Sequence, residues 1–213
     1  MSSVRAHARA DVDRSALRWA ETFFWAVGFL LLGWCAWVWL GARLYQARQE
    51  TAFEILRRPA ASTAADGPRA PSDAASDARR TGLDPFLIGK LEIPRLGVSS
   101  IIREGIEEDT LRRAVGHVPG TALFSQEGNV ALAGHRDTFF RGLRTVAKGD
   151  TIRVKTLDSS YTYHVVSTEI VWPEETRVLD SDGTSMLTLV TCWPFDFVGH
   201  APKRFVVKAR RVG

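Results

Sequence analysis

The sequence predicts a mainly β domain, a closed barrel or a sandwich, behind one apolar N-terminal helix. Three observations point there. After Leu83 the chain breaks into short segments with apolar residues at every second place. Ile152 and Val154 alternate with Arg153 and Lys155, and Phe205, Val207 and Ala209 alternate with Val206, Lys208 and Arg210. Turn residues punctuate these segments: Pro94, Gly97, Pro119-Gly120, Glu127-Gly128, Lys148-Gly149-Asp150 and Asp182-Gly183. Ahead of them, residues 22–42 read T-F-F-W-A-V-G-F-L-L-L-G-W-C-A-W-V-W-L-G-A without a charge.

Residues 1–21 precede that run, and 22–42 are read as a transmembrane signal anchor, since about 20 apolar residues cross a bilayer as a helix. Trp25 near one end, and Trp37 and Trp39 near the other, suit the two interfaces. A buried core helix would seldom be so long and so rich in Trp. A cleaved signal peptide would have a shorter apolar region and an A-x-A site, and no clear one follows. Arg5, Arg9, Arg14 and Arg18 on one side balance Arg43, Arg48, Arg57 and Arg58 on the other, so the positive-inside rule gives no orientation.

Residues 43–82 are read as juxtamembrane and linker. An amphipathic continuation from Tyr45 to Arg58 leads into Pro59–Gly82, made of Ala, Ser, Asp, Arg, Gly and Pro with little to bury. That composition predicts a disordered tether with an end-to-end distance of roughly 25–30 Å. Residues 83–213 form the domain. Its expected strands are Gly89–Ile93, Ser99–Arg103, Asn129–Ala133, Thr151–Thr156, Tyr161–Trp172, Met186–Cys192 and Phe205–Val212. One helix is expected at Glu107–Val115, with Glu107, Glu108 and Asp109 in its first turn, where the dipole favours acids.

The net charge of +4 is dispersed: from Leu83 onward 17 Lys and Arg face 16 Asp and Glu, and the first 82 residues hold 11 against 8. No basic stripe with interleaved aromatics exists, which argues against nucleic acid as a partner. The two cysteines, Cys35 and Cys192, stand in unrelated contexts, so no disulfide is expected. Neither a CxxC nor a His/Cys cluster at zinc spacing occurs.

Three segments carry residues suited to chemistry: G-H-R-D-T-F-F with His135, T-L-V-T-C with Cys192, and P-K-R-F with Arg204. An ordinary free thiol, with a pKa of about 8.5, is only slightly ionised at neutral pH, and a neighbouring imidazole both favours the thiolate and can protonate a leaving amine. A guanidinium can donate to the oxyanion formed when a thiolate attacks a carbonyl. Each residue also has a plainer reading. Cys192 ends an apolar run and could be core filling, His135 could cap a loop, and Arg204 could be a solvated strand-edge charge. Taken one at a time, the residues leave both readings open.

Together the segments resemble the sortases, membrane-anchored cysteine transpeptidases. Thr188–Cys192 matches the family's T-L-x-T-C signature, Arg204 follows at the expected place, and G-H-R-D-T-F-F carries the family's histidine. G-H-V-P-G-T at 116–121 and K-L-E-I-P-R-L-G-V at 90–98 match as well. The resemblance spans about Pro85 to Val212 and is nearest to class D. It implies an eight-stranded closed β-barrel with one or two short helices, catalysis by His135, Cys192 and Arg204, and substrate positioning by Thr191. It further implies cleavage after Thr in an LPxTG-like C-terminal sorting signal through a Cys192 thioester, and transfer to an amine of peptidoglycan or of another protein. The N-terminus would then be cytoplasmic and the domain extracytoplasmic, on a single-pass anchor in membrane lipid. Specificity is expected in the loop around Trp172 to Asp182.

His117, inside the matched G-H-V-P-G-T, and Asp137, two residues beyond His135, are further candidates for positioning substrate. Asp137 could orient the imidazole or make a local turn bond. His200 and His164 compete less well with His135, lying in a loop and on an alternating strand. No cofactor is expected, although Glu104, Glu107, Glu108 and Asp109 could together take Ca2+; a helix start explains three of them. Rival functions are an L,D-transpeptidase, a hydrolytic peptidase using the same thiol, and a non-catalytic anchored domain that binds wall partners. An S-H-G-C-type segment would mark the first, and here Val190 and Thr191 precede Cys192.

Overall fold

The computed structural model describes residues 3–57 and 84–212; the predicted tether at 59–82 lies outside them. The chain divides into two compact units, Met1–Leu44 and Tyr45–Gly213. In the first, helix α1 (Ser3–Arg57) carries the apolar run. Phe23, Trp25, Leu30, Trp34 and Trp37 are all exposed along it. Among the described residues this is the one helix long and apolar enough to cross a membrane, over Leu17–Ile55. Arg43 lies 4.8 Å from the centroid of the Trp39 ring, a cation–π contact at the end of the run.

The second unit is built on eight strands. These are β1 (Leu87–Ile93), β2 (Val98–Glu104), β3 (Val115–His117), β4 (Asn129–Ala133), β5 (Thr151–Thr156), β6 (Ser160–Val171), β7 (Met186–Trp193) and β8 (Lys203–Val212). They close in the order β1-β2-β3-β4-β7-β8-β6-β5. The β2/β3 and β4/β7 ladders are parallel and the others antiparallel. Closure leaves no sheet edge to pair with another chain. The predicted mainly β barrel is therefore the observed one, and the seven expected strands fall on β1, β2 and β4–β8.

Eight strands are what the resemblance implies, but alternation located seven, and the one it did not locate is β3. The helix predicted at Glu107–Val115 is α2, Glu108–Arg113, and stops two residues sooner. Ala114 takes an extended conformation and Val115 enters β3, where it faces Ile102 in the β2 ladder. A three-residue strand is too short to show alternation, so its register comes from its neighbours.

Inward-facing residues fill the barrel: Leu91 and Ile93, Ile102, Val130 and Leu132, Ile152 and Val154, Tyr163, Leu187 and Leu189, Val207 and Ala209. Gly89 shows how tightly β1 and β5 approach, because a Cβ there would sit 2.3 Å from the Lys155 carbonyl oxygen.

Tyr45–Arg57, the C-terminal end of α1, belongs to the barrel unit, whereas the sequence placed it with the linker. Phe53 and Ala52 are buried. Gln46 accepts from the Ile101 N–H (2.9 Å) and donates to the Arg113 carbonyl (2.5 Å), while Gln49 accepts from the Asp84 N–H (3.0 Å). Ile101 precedes the β2/β3 rungs, so its N–H needs a side-chain acceptor.

Candidate active site

Alternation along three neighbouring strands decides which side chains meet. On β7, Leu187 and Leu189 face the core, so Thr188, Val190 and Cys192 face outward. On β8, Val207 and Ala209 face inward and Arg204 and Val206 outward. On β4, Val130 and Leu132 are inside, so Ala131, Ala133 and then His135 follow the outer face. Cys192 and Arg204 are direct partners across the β7/β8 ladder. The β4/β7 ladder pairs Ala133 with Val190, and the Gly134 N–H donates to the Val190 carbonyl at 3.1 Å. Two residues beyond the last rung on each strand stand His135 and Cys192.

Local packing holds each strand end. Gly134 must be glycine because Phe140, fully buried, lies where its Cβ would be, at 2.8 Å. The Phe140 N–H then returns to the His135 carbonyl at 3.0 Å, closing the turn that carries the imidazole. Thr191 is buried, and its hydroxyl donates to the Gly134 carbonyl at 2.7 Å. It therefore locks β7 to β4 one residue before both His135 and Cys192. Arg204 Nη1 donates to the carbonyls of Ala201 (3.2 Å) and Lys203 (3.1 Å), which restrains the guanidinium beside the thiol. Beyond Cys192, the Trp193, Phe195 and Phe205 rings pack with centroids 5.5 to 5.9 Å apart and seal the barrel end beneath the site.

A wall rises over the same outer face. Val178 and Leu179, in the 3-10 turn Thr176–Leu179 between β6 and β7, pack with Val171, Val190 and Val206. Asn129, buried at the start of β4, donates to the carbonyls of Val178 (3.1 Å) and Asp180 (3.3 Å) and accepts from the Thr188 hydroxyl at 2.7 Å. This wall lies in the loop around Trp172 to Asp182 where specificity is expected. Asn129, which suspends it, did not stand out in the sequence, and a polar residue opening an apolar strand was the available signal. Trp172, 54% exposed, begins the wall, with Lys203 Nζ 4.6 Å from its ring centroid.

The other sequence candidates lie apart from this group. His117 pairs with Leu132 across the β3/β4 ladder, on the inner face, and is 2% exposed. Its Nδ1 is 2.9 Å from Glu104 and its Nε2 is 3.0 Å from the Ala122 carbonyl and 3.1 Å from the Thr121 hydroxyl. Both ring nitrogens thus hold the fold together, leaving none for a substrate. Asp137 is exposed, with no hydrogen bond to the His135 ring among the described residues. His200 is exposed in the β7–β8 loop, and His164 Nδ1 is 3.3 Å from the Gly149 carbonyl on β6. Of the four acids considered for calcium, Glu104 meets His117, Glu108 meets Arg112 at 3.8 Å, and Asp109 meets Arg113 at 2.9 Å. Among the described residues no three His, Cys, Asp or Glu converge as a metal site. Cys35 and Cys192 are both free thiols.

This geometry coincides with that of a known family. The model of the sortase domain matches residues 91–212. Sortase D of Bacillus subtilis is 38% identical over 125 residues, 58% of this chain and 63% of its own length. Sortase A of Bacillus anthracis is 28% identical over 131 residues, 60% of this chain and 60% of its own length. The matches thus span under two thirds of these relatives. The crystal structure of sortase E1 from Streptomyces coelicolor with a tripeptide in the active site superposes with a TM-score of 0.55 at 32% identity. It covers 60% of this chain and 88% of that one. The barrel from Leu91 onward, the Cys192–Arg204 rung and His135 just past β4 all lie within the matched residues, and the chain belongs to the sortase family.

Proposed function

We propose that the chain is a membrane-anchored cysteine transpeptidase that cleaves an LPxTG-like sorting signal after Thr and passes the acyl group to an amine. The observation that carries this reading is the shared outer face, on which Cys192 faces Arg204 across one ladder and His135 ends the adjacent strand. The Cys192 thiolate attacks the carbonyl carbon after Thr, and electrons move onto the carbonyl oxygen. Arg204 donates to that oxyanion. As the C–N bond breaks, His135 gives its proton to the departing amine, leaving a thioester on Sγ. An incoming amine then attacks the thioester, yields a proton to the imidazole and releases the thiolate. Thiol, imidazole and guanidinium supply the whole reaction, and no cofactor is required.

The acceptor is an amine of peptidoglycan or of another protein, and the partly buried Leu179 and Val190 on the apolar wall suit an aliphatic residue of the signal. The exposed apolar side chains of α1 suit a lipid environment and so a single-pass anchor. The orientation, with the N-terminus cytoplasmic and the catalytic domain outside, follows from the proposed chemistry and not from the helix. The test supplies detergent-solubilised full chain with an LPxTG-type peptide, with and without an amine such as a short oligoglycine. A new amide between the two, lost in Cys192→Ala, supports transpeptidation. Cleavage to the free acid alone, unaltered by added amine, would assign a hydrolase instead.

A further inference from the structure

The turn that carries His135 also carries a side chain with no part in the reaction above. Arg136 follows His135 directly, and its Nη2 donates to two backbone carbonyls, Phe197 at 2.6 Å and Gly199 at 2.9 Å. Both belong to residues 194–202, the loop that joins the Cys192 strand to the Arg204 strand. Past Phe195, which packs into the core, that loop has little burial of its own: Phe197 is exposed and Val198 is 94% exposed. Its other side-chain ties lie at its two ends, Arg144 to Asp196 at 2.6 Å and Arg204 to the Ala201 carbonyl. Among the described residues, Arg136 is the side chain that holds the stretch 197–199.

The ladder makes this position consequential. Backbone bonds join β4 to β7 as far as Gly134 and Val190, and Thr191 adds one side-chain bond at the same level. His135 and Cys192 stand past the last rung, where no ladder fixes their separation. Arg136 supplies the bond across that gap. A charged donor is stronger than a neutral one, and two bonds from the one Nη2 pin the planar guanidinium between Phe197 and Gly199. Its Nη1 is buried with no hydrogen-bond partner among the described residues, so the guanidinium gives up hydration to occupy this place. A charge kept merely for solubility would keep its donors wet.

We propose that Arg136 is a positioning residue that sets the distance between the His135 imidazole and the Cys192–Arg204 rung by gripping the β7–β8 loop. The catalytic consequence rests on the transpeptidase reading; the grip itself does not. The experiment compares full-length wild type, Arg136→Gln, Arg136→Lys, Arg144→Gln and His135→Ala in detergent. Hydrogen exchange at residues 196–200 and the pH profile of Cys192 alkylation by iodoacetamide need no substrate, and peptide cleavage is measured beside them.

In Arg136→Gln, exchange in the loop should rise about tenfold while the barrel strands stay unchanged. The alkylation profile should move toward that of His135→Ala, and kcat should fall about 30- to 100-fold with KM within about threefold. Arg136→Lys, which keeps the charge but loses the fork, should recover part of each effect and serves in place of Gln if the latter misfolds. Arg144→Gln should loosen residue 196 yet leave the alkylation profile near wild type. Wild-type loop exchange and a wild-type alkylation profile in both Arg136 variants would overturn the proposal. A wild type that binds and cleaves no sorting peptide would defeat the transpeptidase reading, while exchange and alkylation still decide the grip.

Discussion

Cys192 and Arg204 owe their meeting to one antiparallel rung, and that rung makes the identity of Arg204 testable. Its Nη1 is committed to the Ala201 and Lys203 carbonyls, which aims the remaining donors of the fork. Lysine keeps the charge but has no fork to be held by one edge while donating from another. Arg204→Lys should therefore lower kcat about 10²-fold with a smaller change in KM, as expected when a donor acts on the oxyanion rather than on bound substrate. Steady-state cleavage of an LPxTG-type peptide measures it. A second prediction concerns Asp150, far from the site. The Arg95 guanidinium hydrogen-bonded to it holds its carboxyl below the usual carboxylate range, against a smaller opposing effect of burial and with help from the Ala147 N–H at 2.8 Å. A carboxyl whose pKa is lower folded than unfolded stabilises above its unfolded value, about 3.9, and loses that contribution as pH falls through the folded value. Asp150→Asn should thus melt lower than wild type at pH 7, by up to about 4 °C, since a pair with one exposed partner contributes at most about 1 kcal/mol. The gap should close as the pH falls from the unfolded value through the lower folded one. A gap that persists unchanged there would contradict the assignment.

At the scale of elements, the site is a groove whose floor is strand and whose wall is a hung segment. Asn129 suspends that wall from β4 through two carbonyls. Asn129→Ala removes both bonds and leaves buried carbonyls unpaired, at a cost of about 1–3 kcal/mol. Under the proposed function, in which the wall receives the peptide rather than the reacting atoms, it should also raise KM several-fold with kcat changed less. Stopped-flow binding and melting curves check the two parts separately. Much of this architecture was legible beforehand. Alternation at Ile152/Val154 and Phe205/Val207/Ala209 marked the strands, and T-L-V-T-C with His135 and Arg204 marked the chemistry. What escaped had physical reasons. Val115–His117 is too short to alternate, and although the loop around Trp172 to Asp182 was expected to carry specificity, its suspension depends on long-range bonds from Asn129. Tyr45, Gln46 and Gln49 lie in a segment read as an amphipathic continuation into the linker, yet they bond to Asp84, Arg113 and Ile101 more than 30 positions away. His117 misled for the opposite cause. It sits in a matched motif, but its ring is spent on Glu104, Thr121 and Ala122.

At the scale of the molecule, each unit makes its own demand. The exposed apolar helix is long enough to cross a membrane, and the closed barrel sets the free thiol of Cys192 opposite Arg204 across the β7/β8 ladder. The central claim is that Cys192 becomes acylated, and the intact mass of the full chain after brief exposure to an LPxTG-type peptide tests it most directly. The account predicts a gain equal to the peptide's acyl portion, mapped by fragmentation to Cys192, removed by added amine and absent from Cys192→Ala. No adduct across a panel of sorting peptides, or an adduct that survives in Cys192→Ala, would contradict it.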